Sequence, residues 1–390
     1  MGLRKKSNKN PPILSHEFVI QNHADILSCI LMVFIVALYF QVSASFGSLF
    51  ITLNHNITVN KTIGTHQYED YNSLFTNGPK DLCFIFFYFL TLIIYHAVIQ
   101  EYVLDKTNRK LHLSKVKTNK FNESGGLLAY YIPFFILALY IILNGYIPQI
   151  NSLWIDYPTT ILPWNVKIFF LLQIATWLHF YPEIYFQKIP QEDWSERCTY
   201  ISLYVVFIAA TYFLSFTKVA LVLLTIQYFE QIIFHLSRII HFSGKNEISK
   251  YGFMSWNIVF IACRLISFIT LVLTFYFGLS KTSIPQINLV QQNFNTPIIR
   301  YNCMVAFGLL QAWLMWNFVN FHMRKRREKI GGDKKMLNFF SFKSSSTKNK
   351  NTEETKKKKR DSNRSKNPVS PISNHDNENN HQNHNSKKKL

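Results

Sequence analysis

Asp81-Leu82-Cys83-Phe84-Ile85-Phe86-Phe87-Tyr88-Phe89-Leu90-Thr91-Leu92-Ile93-Ile94-Tyr95-His96-Ala97-Val98-Ile99-Gln100 carries charge only at its start and is apolar almost without a break until His96. A helix rises ~1.5 Å per residue, so this stretch covers the ~30 Å hydrocarbon layer of a bilayer. Working outward, similar stretches recur at 26–50, 127–147, 164–182, 198–216, 218–240, 252–279 and 298–321, separated by short polar gaps. The chain of 390 residues therefore reads as an all-α, polytopic membrane helix bundle of about eight transmembrane helices. Its mean hydropathy of +0.04 hides this, because long polar ends dilute the apolar middle.

The formal charge of +20 raises the question of nucleic acid. The basic residues are not gathered on one aromatic-interleaved surface: twenty follow the last apolar stretch and four precede the first. Between the helices, loop 101–126 has six Lys or Arg, 148–163 none, 183–197 two, 241–251 two and 281–296 one. That is how topology signals are distributed, and the pattern puts both termini in the cytosol. No nucleic-acid partner is expected. The five cysteines, Cys29, Cys83, Cys198, Cys263 and Cys303, sit in or beside apolar stretches and imply neither a disulfide framework nor a metal site.

With this topology, loop 51–80 is lumenal. It holds two adjacent glycosylation sequons, Asn56-Ile57-Thr58 and Asn60-Lys61-Thr62. Asn60 is the better acceptor, being farther from the bilayer. The third match, Asn122-Glu123-Ser124, falls in a cytosolic loop and should stay bare. The first apolar run is followed by Ser43, Ala44 and Ser45 as a cleaved signal would be, but it resumes to about Leu53 and fits an uncleaved anchor. The expected organisation is a cytosolic segment 1–25, two helices with their loops over 26–119, a six-helix domain over 120–325 and a basic cytosolic tail over 326–390. The tail is too poor in apolar residues to form a core. It ends Lys387-Lys388-Lys389-Leu390, with Lys387 and Lys388 spaced as in dilysine retrieval signals to the endoplasmic reticulum.

Ionisable groups inside membrane helices are costly and mark candidate sites. The deep ones are His96, His179, Glu230, His235 and Arg264. Glu230 and Arg264 both fall near mid-helix and are expected to pair. Glu183 lies one helical turn beyond His179, within hydrogen-bonding reach. Asp81, Glu101, Asp105, Arg238 and His241 lie at helix ends or in loops, where charge costs little. The five residues nominated for substrate or lipid contact are His179, Glu183, Glu230, His235 and Arg264. No nucleophile, base and orienting group stand at telling spacing, so no catalytic residue, cofactor or metal is expected.

The residues also carry a family resemblance. Arg4-Lys5-Lys6-Ser7, Leu14-Ser15-His16-Glu17-Phe18, Gln21-Asn22-His23-Ala24-Asp25-Ile26, His96-Ala97-Val98-Ile99-Gln100-Glu101-Tyr102, Lys120-Phe121-Asn122-Glu123-Ser124-Gly125, Trp177-Leu178-His179, Pro182-Glu183, Tyr185-Phe186-Gln187-Lys188, Phe234-His235, Ser237-Arg238 and Asn293-Phe294-Asn295 run in order over residues 4–327. Together they resemble the translocating chain-associated membrane proteins (TRAM), of the TLC domain superfamily. The resemblance implies an endoplasmic reticulum protein beside the Sec protein-conducting channel that contacts nascent signal sequences and transmembrane segments, among membrane phospholipid. It departs from the family pattern at one point: the acidic residue of the sixth helix is expected one position later, at Gln231, a rotation of ~100°.

Ceramide synthases share the superfamily. Their pattern has a paired histidine after an acidic and basic cytosolic loop, then His-Asp in the next helix. Aligned through Glu192-Asp193, this chain has Tyr200 and Ile201 at the first pair and Gln227 and Tyr228 at the second. The acid-base groups are missing, so the chain reads as a non-enzyme. The alternative is a lipid-binding or lipid-handling protein of the same superfamily.

Overall fold

A computed structural model describes residues 15–57 and 74–328. Among these, the order is α1 (His16–Ala37), α2 (Ala44–Ile51), β1 (Leu74–Phe75), α3 (Asp81–Val98), α4 (Asp105–Leu111), α5 (Lys115–Ile141), α6 (Ser152–Ile155), β2 (Leu162–Pro163), α7 (Trp164–Phe186), α8 (Trp194–Phe213), α9 (Thr217–Phe242), α10 (Asn246–Leu271) and α11 (Pro297–Glu328). The chain divides into two compact units, Met1–Met315 and Trp316–Leu390. Of the second, the described residues Trp316–Glu328 are helical.

All eight expected apolar stretches are largely helical, the first in two pieces, and among the described residues six helices are long and apolar enough to cross a membrane: His16–Ala37, Asp81–Leu111, Lys115–Tyr146, Thr217–Phe242, Asn246–Thr282 and Pro297–Glu328. The two others, α7 and α8, have 23 and 20 residues but no 18-residue stretch as apolar as in those six. In α7 the reason is its position. It packs against α3, α5 and α8, and Val166, Phe169, Phe170, Leu171 and Ala175 are fully buried. A helix shielded from lipid by its neighbours has no need of an apolar surface all round.

Helix boundaries depart from the expected ones. The first helix begins at His16 rather than residue 26, because Ser15 accepts a hydrogen bond from the Phe18 amide at 3.2 Å as an N-cap. Instead of running on to residue 50 it stops at Ala37, and the Ser43 hydroxyl bonds the Ala37 carbonyl at 2.9 Å before α2 starts. The basic loop 101–126 is mostly helical too. A π-helical turn, Ile99–Leu104, carries α3 into α4, and α5 starts at Lys115. Hydropathy marks where the apolar surface ends, not where backbone hydrogen bonding ends. Asn122 of the third sequon is consequently inside α5, bonded to Asn108 and, at 3.4 Å, to Asp105.

Pro133 lies inside α5, where it cannot donate to the Ala129 carbonyl. The Tyr95 hydroxyl of α3 donates to that carbonyl instead, at 3.2 Å, so the proline ties two helices together. One end of the bundle is closed by contacts between loops. β1 and β2 pair antiparallel, with Leu74 opposite Pro163 and Phe75 opposite Leu162. The carbonyls at the end of α8 are taken by side chains from elsewhere: Asn77 bonds Tyr212 at 3.0 Å, Tyr157 bonds Leu214 at 3.0 Å and Thr159 bonds Ser215 at 2.8 Å. Burial pushes the Tyr157 phenol up to about 12, so it stays a neutral donor well beyond neutral pH. At the same end Gly278 lies against Trp154, and a Cβ there would sit 2.4 Å from the indole ring. Gly278→Ala is expected to cost about 1–3 kcal/mol through overpacking, seen as a lower thermal unfolding midpoint in detergent. An unchanged midpoint means that α6 is not closely packed there.

Candidate functional site

The nominated residues fall in three places, all enclosed. His179 is fully buried, and Glu183, Glu230, His235 and Arg264 are 4%, 1%, 4% and 3% exposed. None faces lipid.

Glu230 and Arg264 do pair, with Arg264 Nη2 at 3.7 Å from Glu230 Oε2. Arg264 is the central residue of the span Asn246–Thr282, and Glu230 is one of the two central residues of Thr217–Phe242. The carboxylate accepts from Trp256 Nε1 at 2.5 Å, Gln227 Nε2 at 3.3 Å and Gln231 Nε2 at 3.0 Å. Glu230 thus faces inward and Gln231, the position at which the resemblance leads one to expect the acid, donates to it. Arg264 is served less completely. Its Nη1 donates to Gln311 Oε1 of α11 at 3.1 Å, Nη2 donates to Gln227 Oε1, and Nε has no partner.

The second cluster corrects an expectation. His179 and Glu183 share a helix face but do not bond to each other. His179 Nδ1 bonds the Thr176 carbonyl, while Glu183 Oε2 accepts from Gln187 at 3.3 Å and lies 3.8 Å from His96 Nε2. His96 arrives from α3 and also bonds Gln187 at 2.9 Å and the Tyr130 hydroxyl at 3.4 Å. The Gln187 amide, donating to both His96 Nε2 and Glu183 Oε2, bridges the deep histidine of the second helix to the carboxylate. Two acceptor or donor atoms, His179 Nε2 and Glu183 Oε1, remain unpaired.

His235 stands apart, stacked obliquely on Tyr131 with ring centres 5.7 Å apart. It borders a band of polar aromatic groups: the Tyr131 and Tyr200 hydroxyls are 3.2 Å apart, and Tyr228 donates to Gln173 at 2.6 Å. The cavity between Tyr130, Tyr131, Gln173, Trp177 and Tyr228 measures only about 10 Å³.

A third ionic centre was not legible from position alone. Asp81, expected to be solvated at a helix end, is 3% exposed, and Lys167 is fully buried. Their charges are 2.7 Å apart; Lys167 also donates to the Asn54 and Thr76 carbonyls, both at 2.7 Å. Asp81 Oδ2 accepts from Tyr212 at 2.8 Å and the Gly78 amide at 3.1 Å. The group locks residues 54–57 and 74–81 onto α7 and α8. A lysine four residues into an apolar run reads as one that snorkels to the interface, which masks the signal. Another ionic clamp lies nearer the opposite end, where Glu123 of α5 pairs with Arg197 of α8 at 3.1 Å and Arg238 of α9 at 3.2 Å. Asn56 is exposed; Asn60, Lys387 and Lys388 lie outside the described residues.

Among the described residues no group of His, Cys, Asp and Glu is arranged to hold a metal ion. The geometry is one of paired or hydrogen-bonded polar groups inside a helix bundle.

Residues 120–320 match the TLC domain family. The chain is 40% identical over 329 residues to translocating chain-associated membrane protein 2 of Mus musculus and of Homo sapiens, covering 84% of this chain and 86% of each relative. It is also similar, at 25% identity over 201 residues, to a sphingosine N-acyltransferase-like protein of Alternaria alternata, covering 51% of this chain and 45% of that one. The first likeness is much longer than the TLC domain alone, and with it the chain belongs to the translocating chain-associated membrane protein family, its TLC domain built from α5 to α11.

Proposed function

We propose that the protein assists translocation or membrane insertion of nascent secretory and membrane proteins, standing beside the Sec channel in the endoplasmic reticulum membrane with both termini in the cytosol. The observation that carries this reading is 40% identity across 84% of the chain to relatives named for association with translocating chains. All eight long helices cross the bilayer in this reading, α7 inside the bundle and α8 beside it. The exposed position of Asn56, near the helix end at Ile51, suits a lumenal loop in which Asn60 is the better glycosylation acceptor.

The protein does not catalyse acyl transfer in this reading. The positions aligned with the acyltransferase histidines and aspartate hold Tyr200, Ile201, Gln227 and Tyr228. Around Tyr228 the interior is filled, since a cavity of about 10 Å³ has room for about one water and none for an acyl chain.

The test is site-specific photocrosslinking of a short nascent secretory chain in microsomes containing the protein. Adducts from probes flanking the apolar core of the signal are the expected result. Adducts confined to channel subunits would overturn the reading, transfer the lead to lipid handling and make co-purified phospholipids the next object of analysis.

A further inference from the structure

We infer that the seam between α10 and α11 opens to admit a transmembrane segment carrying a hydrogen-bond acceptor at its middle, which takes the place of Gln311 on Arg264. This rests on the proposed contact with nascent chains and names the kind of segment and the residue that meets it.

Three observations lead here. The first is an imbalance within the ionic cluster. Glu230 has three donors besides Arg264, whereas Arg264 has one carboxylate at 3.7 Å, two side-chain amides and an unpaired Nε. A guanidinium has five N–H donors, so Arg264 has capacity for an incoming carboxylate or amide oxygen that the bundle itself does not use.

The second is the way α11 is held. Its start is anchored, with Arg300 and Asn295 both bonded to the Leu279 carbonyl, at 3.3 and 2.7 Å. From there Cys303, Met304 and Phe307 pack half-buried on the apolar cluster of Leu271, Phe275 and Leu279, but between Gly308 and Met315 the one buried residue is Gln311, held by the 3.1 Å bond to Arg264. One turn earlier, a Cβ on Gly308 would meet no atom within 4 Å. Past Phe307 the seam is therefore loosely filled beside a single polar latch.

The third is depth. Arg264 is central in its span, Glu230 is central in its own, and Gln311 lies within two residues of the centre of Pro297–Glu328. Phospholipid headgroups lie ~15 Å from the middle of the bilayer, half the hydrocarbon thickness. An acceptor that reaches Arg264 at this depth belongs to a membrane-spanning polypeptide and not to a lipid headgroup. Exchange of one amide acceptor for another also needs little reorganisation, because Glu230 stays satisfied throughout.

The experiment uses the full chain in microsomes and nascent chains with a ~20-residue leucine-alanine segment bearing aspartate, glutamine or leucine at its centre, with a photoreactive probe beside that position. A single hydrogen bond to a charged group in a bilayer corresponds to about threefold to tenfold in association, so the aspartate and glutamine segments should give adducts in that excess over the leucine segment. Arg264→Gln should remove the excess. Gly308→Phe should remove it as well by filling the seam, at a position with open space that leaves folding undisturbed, while Gln311→Leu should preserve or raise it. Equal adducts from all three segments, or an excess that survives both Arg264→Gln and Gly308→Phe, would overturn the seam assignment and leave the translocation role standing. Absence of every adduct, with channel subunits still labelled, would remove both. Labelling of α11 by a photoreactive phosphatidylcholine in an Arg264-dependent manner would assign the seam to lipid and also overturn the inference.

Discussion

Replacing Lys167 with methionine is expected to destabilise the protein by about 3–5 kcal/mol, the range for breaking a buried ion pair by removing one partner. The substitution leaves Asp81 charged at 3% exposure with two remaining donors, Tyr212 and Gly78. It also strips the donor from two carbonyls, Asn54 and Thr76, that α7 otherwise holds. The loss should appear as a lower thermal midpoint in mild detergent and as faster hydrogen exchange at residues 74–78. Asp81→Asn should cost less, because the amide oxygen keeps the Tyr212 and Gly78 bonds and Lys167 keeps its two carbonyls. A Lys167→Met protein within about 1 kcal/mol of the parent, below the range expected for such a pair, would show that the lysine does not tie the loop to the bundle.

The second large effect is an asymmetry between two partners. Glu230→Leu should destabilise by about 3–5 kcal/mol, since Arg264 stays charged in the middle of the bilayer without a carboxylate. Arg264→Leu should cost distinctly less. Glu230 retains three donors, from Trp256, Gln227 and Gln231, whichever residue occupies position 264. A combined Glu230→Leu and Arg264→Leu protein should recover much of the loss from the first substitution, with a coupling of up to about 3 kcal/mol for residues in direct contact. Equal costs for the two single substitutions, with simple additivity in the double, would mean that the pair is not the organising interaction of α9 and α10.

These two centres differ in how far they could be read in advance. Glu230 and Arg264 stand out because each is an ionisable residue at the middle of a long apolar run, and depth along a helix follows directly from counting residues. Their match in depth predicts a pair, and the 3.7 Å contact is that pair. Asp81 and Lys167 lie at the starts of their helices, where the same count says that charge is cheap. Only the return of residues 54–57 and 74–80 across the end of the bundle buries them, and that return depends on Leu74 and Phe75 pairing with Pro163 and Leu162, nearly ninety positions away. The histidines make the same point. His96 and Glu183 are each visible as costly, yet helical spacing favours His179 as the partner because it looks one turn along the chain. The rotation of α3 about its axis, set by its packing on α7, brings His96 beside Gln187, whose amide bridges it to Glu183.

The amino-acid sequence by itself determined that this is a membrane helix bundle, where its apolar stretches lie, which charges sit deepest, and, through motifs running over residues 4–327, which family the chain resembles. Each of these is local, written in the order of side chains and in helical periodicity. Tertiary structure alone decided which helix is central, where helices end beyond the apolar surface, and which buried polar groups meet. α7 tolerates Lys167, Gln173, His179 and Glu183 because other helices surround it; Lys167 and Gln173 find Asp81 and Tyr228 in distant parts of the chain, while His179 and Glu183 bond one turn along, to Thr176 and Gln187. The physical reason is that hydrophobic burial is roughly proportional to area and indifferent to direction, whereas a hydrogen bond depends on both distance and angle. The first can be summed along a chain, and the second exists only once helices have taken up their rotations against one another.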